Sequence, residues 1–186
     1  MKKQSTVTPE IVVRAATAAD VDALVRFNAA MALETEGRRL DENRLRKGIE
    51  AVFDSPARGF YKVAEVKNRS SCTVVGQLLI TFEWSDWRNA TFWWIQSVYV
   101  DPTWRRRGVY RALHADVLDQ AKQRGDICGL RLYVEGENKT AKAVYGRVGL
   151  ASSSYHVYEE DFVLSKRTLH RRPARAGRVT HRGRSA

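Results

Sequence analysis

The stretch Val98-Tyr-Val-Asp-Pro-Thr-Trp-Arg-Arg-Arg-Gly-Val-Tyr-Arg-Ala-Leu113 decides the fold that the sequence predicts. Its β-branched and aromatic residues up to Val100 predict a strand. Asp101-Pro102 ends that strand, because proline fixes its own φ and lacks an N–H donor. Apolar residues at helical spacing from Val109 onward then predict a helix. The stretch is therefore a strand, a basic turn and a helix in immediate succession.

The turn between strand and helix contains three arginines and one glycine, at positions 105–108. The N-terminus of a helix offers unpaired N–H groups, and its dipole favours an anion. Arginine adds charge and fork-shaped donors. This pattern favours a phosphate or pyrophosphate ligand. The alternative is an ordinary surface turn with solvated arginines, since the turn is neither a Walker A loop nor a GxGxxG fingerprint.

The composition is that of a globular protein, with 186 residues, 44% apolar and 28% charged. The net charge of +11 is concentrated near the end, because residues 165–186 hold eight Lys or Arg and no Asp or Glu. We expect a flexible N-terminus over 1–9, one domain over 10–164 and a disordered basic tail over 165–186. Such a tail either binds nucleic acid nonspecifically by counterion release or stays solvated without a partner.

Several classes of protein do not fit this sequence. No segment approaches the roughly 20 apolar residues of a membrane span, and no apolar segment follows the N-terminal lysines as in a secretory signal. Cys72 and Cys128 lie far apart, and the four histidines form no cluster. We therefore expect reduced thiols, no metal site, no membrane association and a cytoplasmic location.

Periodicity and turn residues predict the remaining elements. Strands are expected over 10–15, 59–66, 74–84, 90–100, 129–135 and 152–162. Helices are expected from Thr17 to about Thr35 and around 45–53, then from the arginine turn to about Arg124 and over 138–148. The strand 90–100, its helix and the strand 129–135 form one parallel, right-handed βαβ unit. Ligands in such units bind at the carboxyl ends of the strands, where the arginine turn lies.

At this point the sequence resembles the GNAT superfamily of acyl-CoA-dependent N-acyltransferases. Arg105-Arg-Arg-Gly108-Val-Tyr110 follows the family's Gln/Arg-x-x-Gly-x-Gly/Ala loop, and Asn138-Lys-Thr-Ala141-Lys-Ala-Val-Tyr145 follows its Asn-x-x-Ala-x-x-x-Tyr helix. The resemblance covers about residues 11–162. It implies an α/β (α+β) fold, with a mixed, mostly antiparallel twisted sheet, a central parallel βαβ unit and flanking helices.

The resemblance also implies a site for acetyl-CoA as cosubstrate. The backbones of Val98, Tyr99 and Val100 would pair with the pantetheine arm. The N–H groups of 106–110 would hold the pyrophosphate, Asn138 would hydrogen-bond the arm, and Tyr145 would lie near the thioester sulfur. The full set of residues that the family pattern assigns to the coenzyme is Val98, Tyr99, Val100, Arg105, Arg106, Arg107, Gly108, Val109, Tyr110, Arg111, Asn138, Ala141 and Tyr145.

The sequence departs from the family pattern in two places. The last small residue of the loop is Tyr110, whose side chain must point away from the pyrophosphate for the loop to close. Many family members carry a catalytic Glu on the strand before the loop, whereas here Phe92, Trp93 and Trp94 occupy that region. Of the polar residues that remain on the strand, Gln96 is expected to face the acceptor.

Transfer to an amine needs a base for the amine proton and an acid for the departing thiolate. Tyr145 fits the acid, with a packed helix tyrosine as the alternative. Glu83 is the first candidate for the base, followed by Asp86 and then by Glu34 or Glu36, and each could instead be a solvated carboxylate. Glu34, Trp84, Asp86 and Gln96 are expected to contact the acceptor.

Tryptophans 84, 87, 93 and 94 crowd the predicted hairpin. They could form an aromatic wall that binds a cationic amine by cation–π contact, or fill a core, or form a homodimer interface. The sequence thus supports two hypotheses. One is an N-acetyltransferase whose acceptor is a small amine, amino acid, polyamine, antibiotic or protein N-terminus. The other is a non-catalytic coenzyme A-binding or RNA-associated module that uses the basic tail.

Overall fold

A computed structural model describes residues 10–68 and 71–164 of the chain. The predicted flexible N-terminus (1–9), the predicted tail (165–186) and the turn residues 69–70 lie outside the described residues. The strands are β1 (Glu10–Ala15), β2 (Phe60–Asn68), β3 (Ser71–Ser85), β4 (Ala90–Val100) and β5 (Ile127–Leu132). The helices are α1 (Val21–Glu36), α2 (Glu42–Asp54), α3 (Val109–Gln123) and α4 (Lys139–Arg147). Short 3-10 turns at Ala18–Asp20 and Pro102–Trp104 precede α1 and α3.

The five strands form one sheet in the order β1-β2-β3-β4-β5. The first three pairings are antiparallel, and only β4 and β5 are parallel, at one end of this order. The predicted mixed, mostly antiparallel sheet with a parallel βαβ unit and flanking helices is therefore confirmed, although the unit lies at one end of the described sheet and not at its centre. Because α3 connects the two parallel strands, its N-terminus begins where β4 ends.

Helices cover both faces of the sheet, because successive strand residues point to opposite sides. On one face, Val109, Leu113 and Val117 of α3 pack with strand residues that include Ile80 and Trp93. On the other face, residues of α1 and α2 form a second core cluster with β2. The members of this second cluster are Val21, Leu24, Val25, Ile49, Tyr61 and Val63. The sheet is therefore buried on both sides near its middle.

Local signals in the sequence place the helix ends well. Gly37 ends α1 in the left-handed conformation, at φ 63°, and its N–H donates a hydrogen bond to the Leu33 carbonyl. The Asp20 carboxylate accepts from the Thr17 N–H at 2.7 Å, which forms a capping box at the start of the 3-10 turn before α1. Arg14 also holds this buried carboxylate, and their hydrogen bonds are the main reason that the pKa of Asp20 is lowered.

The predicted final strand over 152–162 is wrong. The chain divides into two compact units, Met1–Ala151 and Ser152–Ala186, and residues 152–164 form no strand. Tyr155, Val157 and Tyr158 are 77%, 64% and 95% exposed. Apolar and polar residues alternate only from Tyr155 to Val157, between three serines and the acidic run 159–161. Three alternating positions bury too little apolar surface to specify a strand.

Candidate active site

The parallel ladder between β4 and β5 ends before β4 does. Its last pair is Ile95 and Leu132, although β4 continues to Val100. A β-bulge interrupts the pairing of β4 with β3 at the same place, because the register skips Gln96. Beyond this point, β4 has a strand beside it on one edge only within the described residues. Beyond Ile95, β4 therefore has a free edge within the described residues, and we call the space along this edge the gap.

The free edge of β4 presents backbone groups to this gap. The Asp101 N–H donates to the Val75 carbonyl at 2.9 Å, so the alternate residues Val98 and Val100 direct their polar groups away from β3. Consistent with this direction, the Arg105 Nε donates to the Val100 carbonyl at 3.0 Å. An extended ligand with amide groups could pair with this edge as an added strand would.

The loop that follows has the backbone geometry of an anion site. Arg106 and Gly108 both have positive φ, 61° and 87°. The first bond of α3 runs from the Ala112 N–H to the Gly108 carbonyl at 2.9 Å. In the described part of the chain, the N–H groups of 106–111 have no acceptor. Left-handed residues in such a loop turn N–H groups toward one concave point, which suits a phosphate.

A glycine on β3 brings this loop close to the sheet. A Cβ at Gly76 would lie 2.9 Å from Val109 Cγ1 and 3.2 Å from the Tyr99 carbonyl oxygen. Any side chain at Gly76 would therefore push the first turn of α3 away from β4. The close approach fixes the loop directly beyond the end of the free edge.

Arg105 is anchored rather than free. Its Nη2 lies 2.6 Å from Glu34 Oε2, and its guanidinium lies over the Tyr99 ring at 5.3 Å. The Tyr99 hydroxyl donates to Glu34 Oε1 at 2.5 Å. Burial of Glu34 would raise its pKa, but the hydrogen bonds from Tyr99 and Arg105 outweigh burial and hold the pKa below its usual value. Glu34, expected at the acceptor, thus ties α1 to the arginine loop.

The other loop arginines remain available. Arg107 stacks over Trp104 at 4.8 Å, and Arg106 and Arg111 are exposed. None of these three arginines has a carboxylate partner within residues 10–68 and 71–164. The loop therefore combines oriented N–H groups with three uncompensated positive charges.

Helix α4 carries the other predicted coenzyme residues. The Asn138 Oδ1 caps the helix by accepting from the Ala141 N–H at 2.9 Å. Tyr145 lies two turns later, and its ring contacts the ring of Tyr110 edge-on at 5.6 Å between centroids. Burial raises the pKa of Tyr145, so its phenol keeps its proton at neutral pH.

Tyr110 points its ring away from the loop and into the space between α3 and α4. The ring also contacts His114 at 5.9 Å. Neither the Tyr110 hydroxyl nor His114 Nε2 has a hydrogen-bond partner among the described residues, although both atoms are buried. Burial raises the pKa of Tyr110 and lowers that of His114, so both side chains stay neutral. A large side chain at this loop position is thus accommodated without filling the loop.

A cluster of charged and aromatic side chains lies where β4 and β5 are about to part. Glu83 of β3 accepts a hydrogen bond from Arg131 Nη1 of β5. The Arg131 guanidinium stacks on Phe92, with Cζ 3.7 Å from the ring centroid, and lies 5.8 Å from the Trp94 ring. Tyr133 stacks on Trp94 at 4.6 Å. We call these five residues the Arg131 cluster.

Of the three alternatives for the tryptophans, an aromatic wall formed by all four does not occur, because they lie on opposite faces of the sheet. Trp93 is buried in the core under α3, whereas Trp94 belongs to the Arg131 cluster on the opposite face. Trp84 follows Glu83 and therefore points to the sheet face opposite the Arg131 cluster, where it is 61% exposed. Trp87 is 84% exposed. The reason is the two-residue period of a strand, which separates neighbours in sequence.

The four predicted acceptor residues therefore lie in different places. Glu34 lies on α1 and pairs with Arg105 of the arginine loop. Gln96 is exposed at the β-bulge, and Trp84 lies on the sheet face opposite the Arg131 cluster. Asp86 accepts from the Trp87 N–H at 2.9 Å in the β3–β4 turn. Our sequence analysis missed Arg131 and Tyr133. Their alternation with Leu130 and Leu132 was the available signal, because it places them opposite the apolar face of β5.

Over 10–68 and 71–164 there is no group of three or more His, Cys, Asp or Glu side chains that could hold a metal ion. Within the same ranges, no helix is both long and apolar enough to span a membrane. Cys72 and Cys128 are both free thiols.

Comparison with known proteins agrees with this geometry. A solved structure described as a possible acetyltransferase from Clostridium difficile 630 shares 40% identity with this chain, with a TM-score of 0.75. The match covers 83% of this chain and 99% of that one. A search of the curated proteins finds no match.

Two more distant structures share the fold. An aminoglycoside N-acetyltransferase, AAC(6')-Iy, in complex with CoA has 11% identity and a TM-score of 0.66, covering 84% of this chain and 97% of that one. A ribosomal-protein-alanine N-acetyltransferase from Brucella melitensis biovar Abortus 2308 has 14% identity and a TM-score of 0.63, covering 82% and 100%. The family model for acetyltransferases of the GNAT family matches residues 27–150, and with the fold and the loop it shows that this chain belongs to the acetyltransferase (GNAT) family.

Proposed function

We propose that this protein transfers an acetyl group from acetyl-CoA to a primary amine, which attacks the thioester directly. The observation that carries the proposal is the continuity of two binding surfaces. The free backbone edge of β4 leads directly into the N–H groups of residues 106–111. A ligand with an amide-bearing arm and a pyrophosphate matches both surfaces in that order.

The residues present fit this cosubstrate. Val98 and Val100 offer backbone groups for the amides of the arm, and Tyr99 contributes its side chain by holding Glu34 and Arg105 in place. The loop N–H groups and its free arginines suit the pyrophosphate. We assign the remaining predicted coenzyme residues to the same site, because they lie at or near the starts of α3 and α4, whose Tyr110 and Tyr145 rings are in contact: Gly108, Val109, Tyr110, Asn138, Ala141 and Tyr145.

Acetyl-CoA supplies an acetyl group activated as a thioester, so the protein must position the amine and manage two protons. A carbon–nitrogen bond forms while the carbon–sulfur bond breaks, and the thiolate then needs a proton. We assign that proton to the Tyr145 phenol, whose raised pKa keeps it protonated. Tyr110 buttresses the Tyr145 ring from the side.

For the base that takes the amine proton we propose Glu83. Its side chain is 40% exposed and lies in the Arg131 cluster, next to the place where the strands part. Glu34 suits this role less, because its lowered pKa makes it a weak base and its oxygens already serve Tyr99 and Arg105. Asp86 lies in the hairpin turn and needs a rearrangement to reach the gap.

The experiment that tests the proposal is a thiol-release assay with acetyl-CoA over a panel of amines. We expect release that depends on the amine, together with a melting temperature that rises with acetyl-CoA concentration, since a ligand bound only to the native state stabilises it. A thermal shift without thiol release for any amine would instead support a non-catalytic coenzyme-binding module.

The basic tail gives the second candidate function. Residues 165–186, with eight basic residues and no acid, could bind RNA nonspecifically in the cytoplasm, the location we propose for the protein. Deleting 165–186 should leave coenzyme binding and turnover unchanged and remove any nucleic-acid affinity, which in the full chain should fall steeply with salt. Loss of thiol release on truncation would contradict the proposed domain limit at 164.

A further inference from the structure

Arg131 is held firmly but uses few of its donors. Its plane is stacked on Phe92, and Gly129 makes room for that ring, since a Cβ there would lie 2.8 Å from Phe92 Cε1. Only Nη1 is hydrogen-bonded, to Glu83. In the described part of the chain, Nε and Nη2 of Arg131 have no acceptor. A fixed guanidinium with a free pair of donors is suited to binding a carboxylate with two parallel hydrogen bonds.

The position of Arg131 relates it to the reaction. Trp94 and Arg131 form the second-to-last pair of the β4–β5 ladder, and Tyr133 follows the last paired residue, Leu132. The Arg131 cluster therefore borders the gap at the end away from the arginine loop. It lies on the sheet face that α1 and α2 cover, whereas α3 covers the other.

The charges of the Arg131 cluster indicate which charged groups an acceptor bound there would carry. An amine without other charge would bind best to an aromatic face with a free carboxylate nearby. Here the protein's own Arg131 covers the face of Phe92 and already pairs with Glu83. The side chains of Arg131 and Glu83 are 33% and 40% exposed, so this pair contributes little by itself and can exchange partners.

We propose that the acceptor is a small amine that also carries a carboxylate, as an amino acid does, and that Arg131 binds this carboxylate. When it does so through Nε and Nη2, Glu83 can stay beside Nη1 and face the ammonium group of the same molecule. One positive and one negative side chain thus match a ligand with one group of each sign. This inference rests on the proposed transfer of acetyl groups to amines.

The test compares matched pairs of acceptors in the full-length protein with acetyl-CoA. The acceptors are L-amino acids, β-alanine and γ-aminobutyrate, each beside its own carboxamide, which keeps the amine and removes the charge. We expect the acids to have kcat/KM values about 10-fold or more above those of their amides. Arg131→Gln should lower kcat/KM for the acids by about 10- to 100-fold, mostly through KM, and change the amides by less than about 3-fold.

Two further variants separate the guanidinium from its charge and from the fold. Arg131→Lys keeps the charge but loses the fork, so it should recover only part of the preference for acids. Arg124→Gln is the matched control, because Arg124 also pairs with a neighbouring carboxylate, Asp126, and lies over a tryptophan, Trp93, at 5.8 Å. It should change neither set of acceptors.

The outcomes distinguish this inference from the function on which it rests. Turnover of amides as good as that of acids, or an equal loss for both in Arg131→Gln, would overturn the inference and leave N-acetyl transfer standing. If no amine is turned over, melting temperatures measured with coenzyme A decide. A shift that an acid produces and its amide does not, and that Arg131→Gln abolishes, would support the carboxylate site while contradicting the proposed reaction. No such shift would contradict both.

Discussion

Two regions beside β4 present different kinds of chemical groups: its free edge with the loop that follows, and the Arg131 cluster. On the side proposed to bind the coenzyme, the groups that face the gap belong to the backbone: the polar groups of Val98 and Val100 and the N–H groups of 106–111. On the side proposed to bind the acceptor, they are side chains brought together by β3, β4 and β5 in the Arg131 cluster. The coenzyme side thus depends on dihedral angles, and the acceptor side depends on side-chain identity.

This difference separates the effects of mutation. A backbone site tolerates many side chains but fails when a φ angle is forced to change. A side-chain site tolerates small backbone shifts but changes its ligand when one charge is removed. Mutations that disturb φ should therefore remove coenzyme binding, whereas mutations in the cluster should change the choice of acceptor.

The largest effect is expected for Gly108→Pro. Gly108 has φ 87°, and proline requires about −65°, so the loop must rearrange and redirect its N–H groups. We expect the rise in melting temperature with acetyl-CoA to disappear, which corresponds to an affinity reduced by about 100-fold or more. Thermal denaturation over a range of coenzyme concentrations measures this loss.

Gly37→Pro is the matched control for this experiment. Gly37 also has positive φ, 63°, and its N–H is used to cap α1, so the variant should lose stability. It should nevertheless keep the rise with acetyl-CoA, because the loop backbone is unchanged. If both variants respond to acetyl-CoA as the wild type does, the loop is not the coenzyme site.

The next largest effect is expected for Tyr145→Phe. In the proposed reaction the phenol provides the proton for the leaving thiolate, so its loss should lower turnover by about 100-fold while coenzyme binding stays within a few-fold. Stopped-time thiol release and thermal shift measure the two quantities separately. Tyr61→Phe is the control, since Tyr61 is also a buried tyrosine, with a pKa raised to about 12 by burial, but lies on β2 and contacts Phe53 of α2. Wild-type turnover in Tyr145→Phe would make Tyr145 a packing residue.

The same contrast explains which features could be predicted from the sequence. The loop was predictable because a positive-φ glycine, a basic run and a helix start are neighbours in the chain. The Arg131 cluster was not, because Glu83 and Arg131 are 48 residues apart and meet only through the strand register. The strand over 152–162 was predicted from alternation that is too short to be specific. The role of Glu34 also depends on a long-range contact, its ion pair with Arg105.

Tyr110 combines a backbone role and a side-chain role in one residue, so it can sharpen the comparison. Its N–H is part of the loop, whereas its ring supports Tyr145. Tyr110→Ala should leave coenzyme affinity within a few-fold but lower turnover several-fold. It should also lower the free energy of unfolding by about 2–4 kcal/mol, because removal of the ring leaves a cavity. Tyr110→Phe should keep turnover and match or exceed wild-type stability, because it removes a buried hydroxyl without a partner in the described residues. Chemical denaturation and thiol release test both variants, and a large loss of affinity in Tyr110→Phe would contradict this division of roles.

The smallest effect is expected where a side chain supports the backbone site, at Glu34. Its folded-state pKa lies below the usual 4.5, since hydrogen bonds from Tyr99 and Arg105 outweigh burial. A lowered pKa contributes stability that is present above the unfolded value and is lost as pH falls through the folded one. The melting temperature of Glu34→Gln should thus lie slightly below that of the wild type at pH 7, and the difference should disappear in more acidic solution, well below pH 4.5. Glu36→Gln, with its longer 3.8 Å contact to Arg38, should show almost no difference at either pH. If the deficit of Glu34→Gln persists in acid, the Glu34 carboxylate stabilises the loop through packing, and the coenzyme side does not depend on this ion pair.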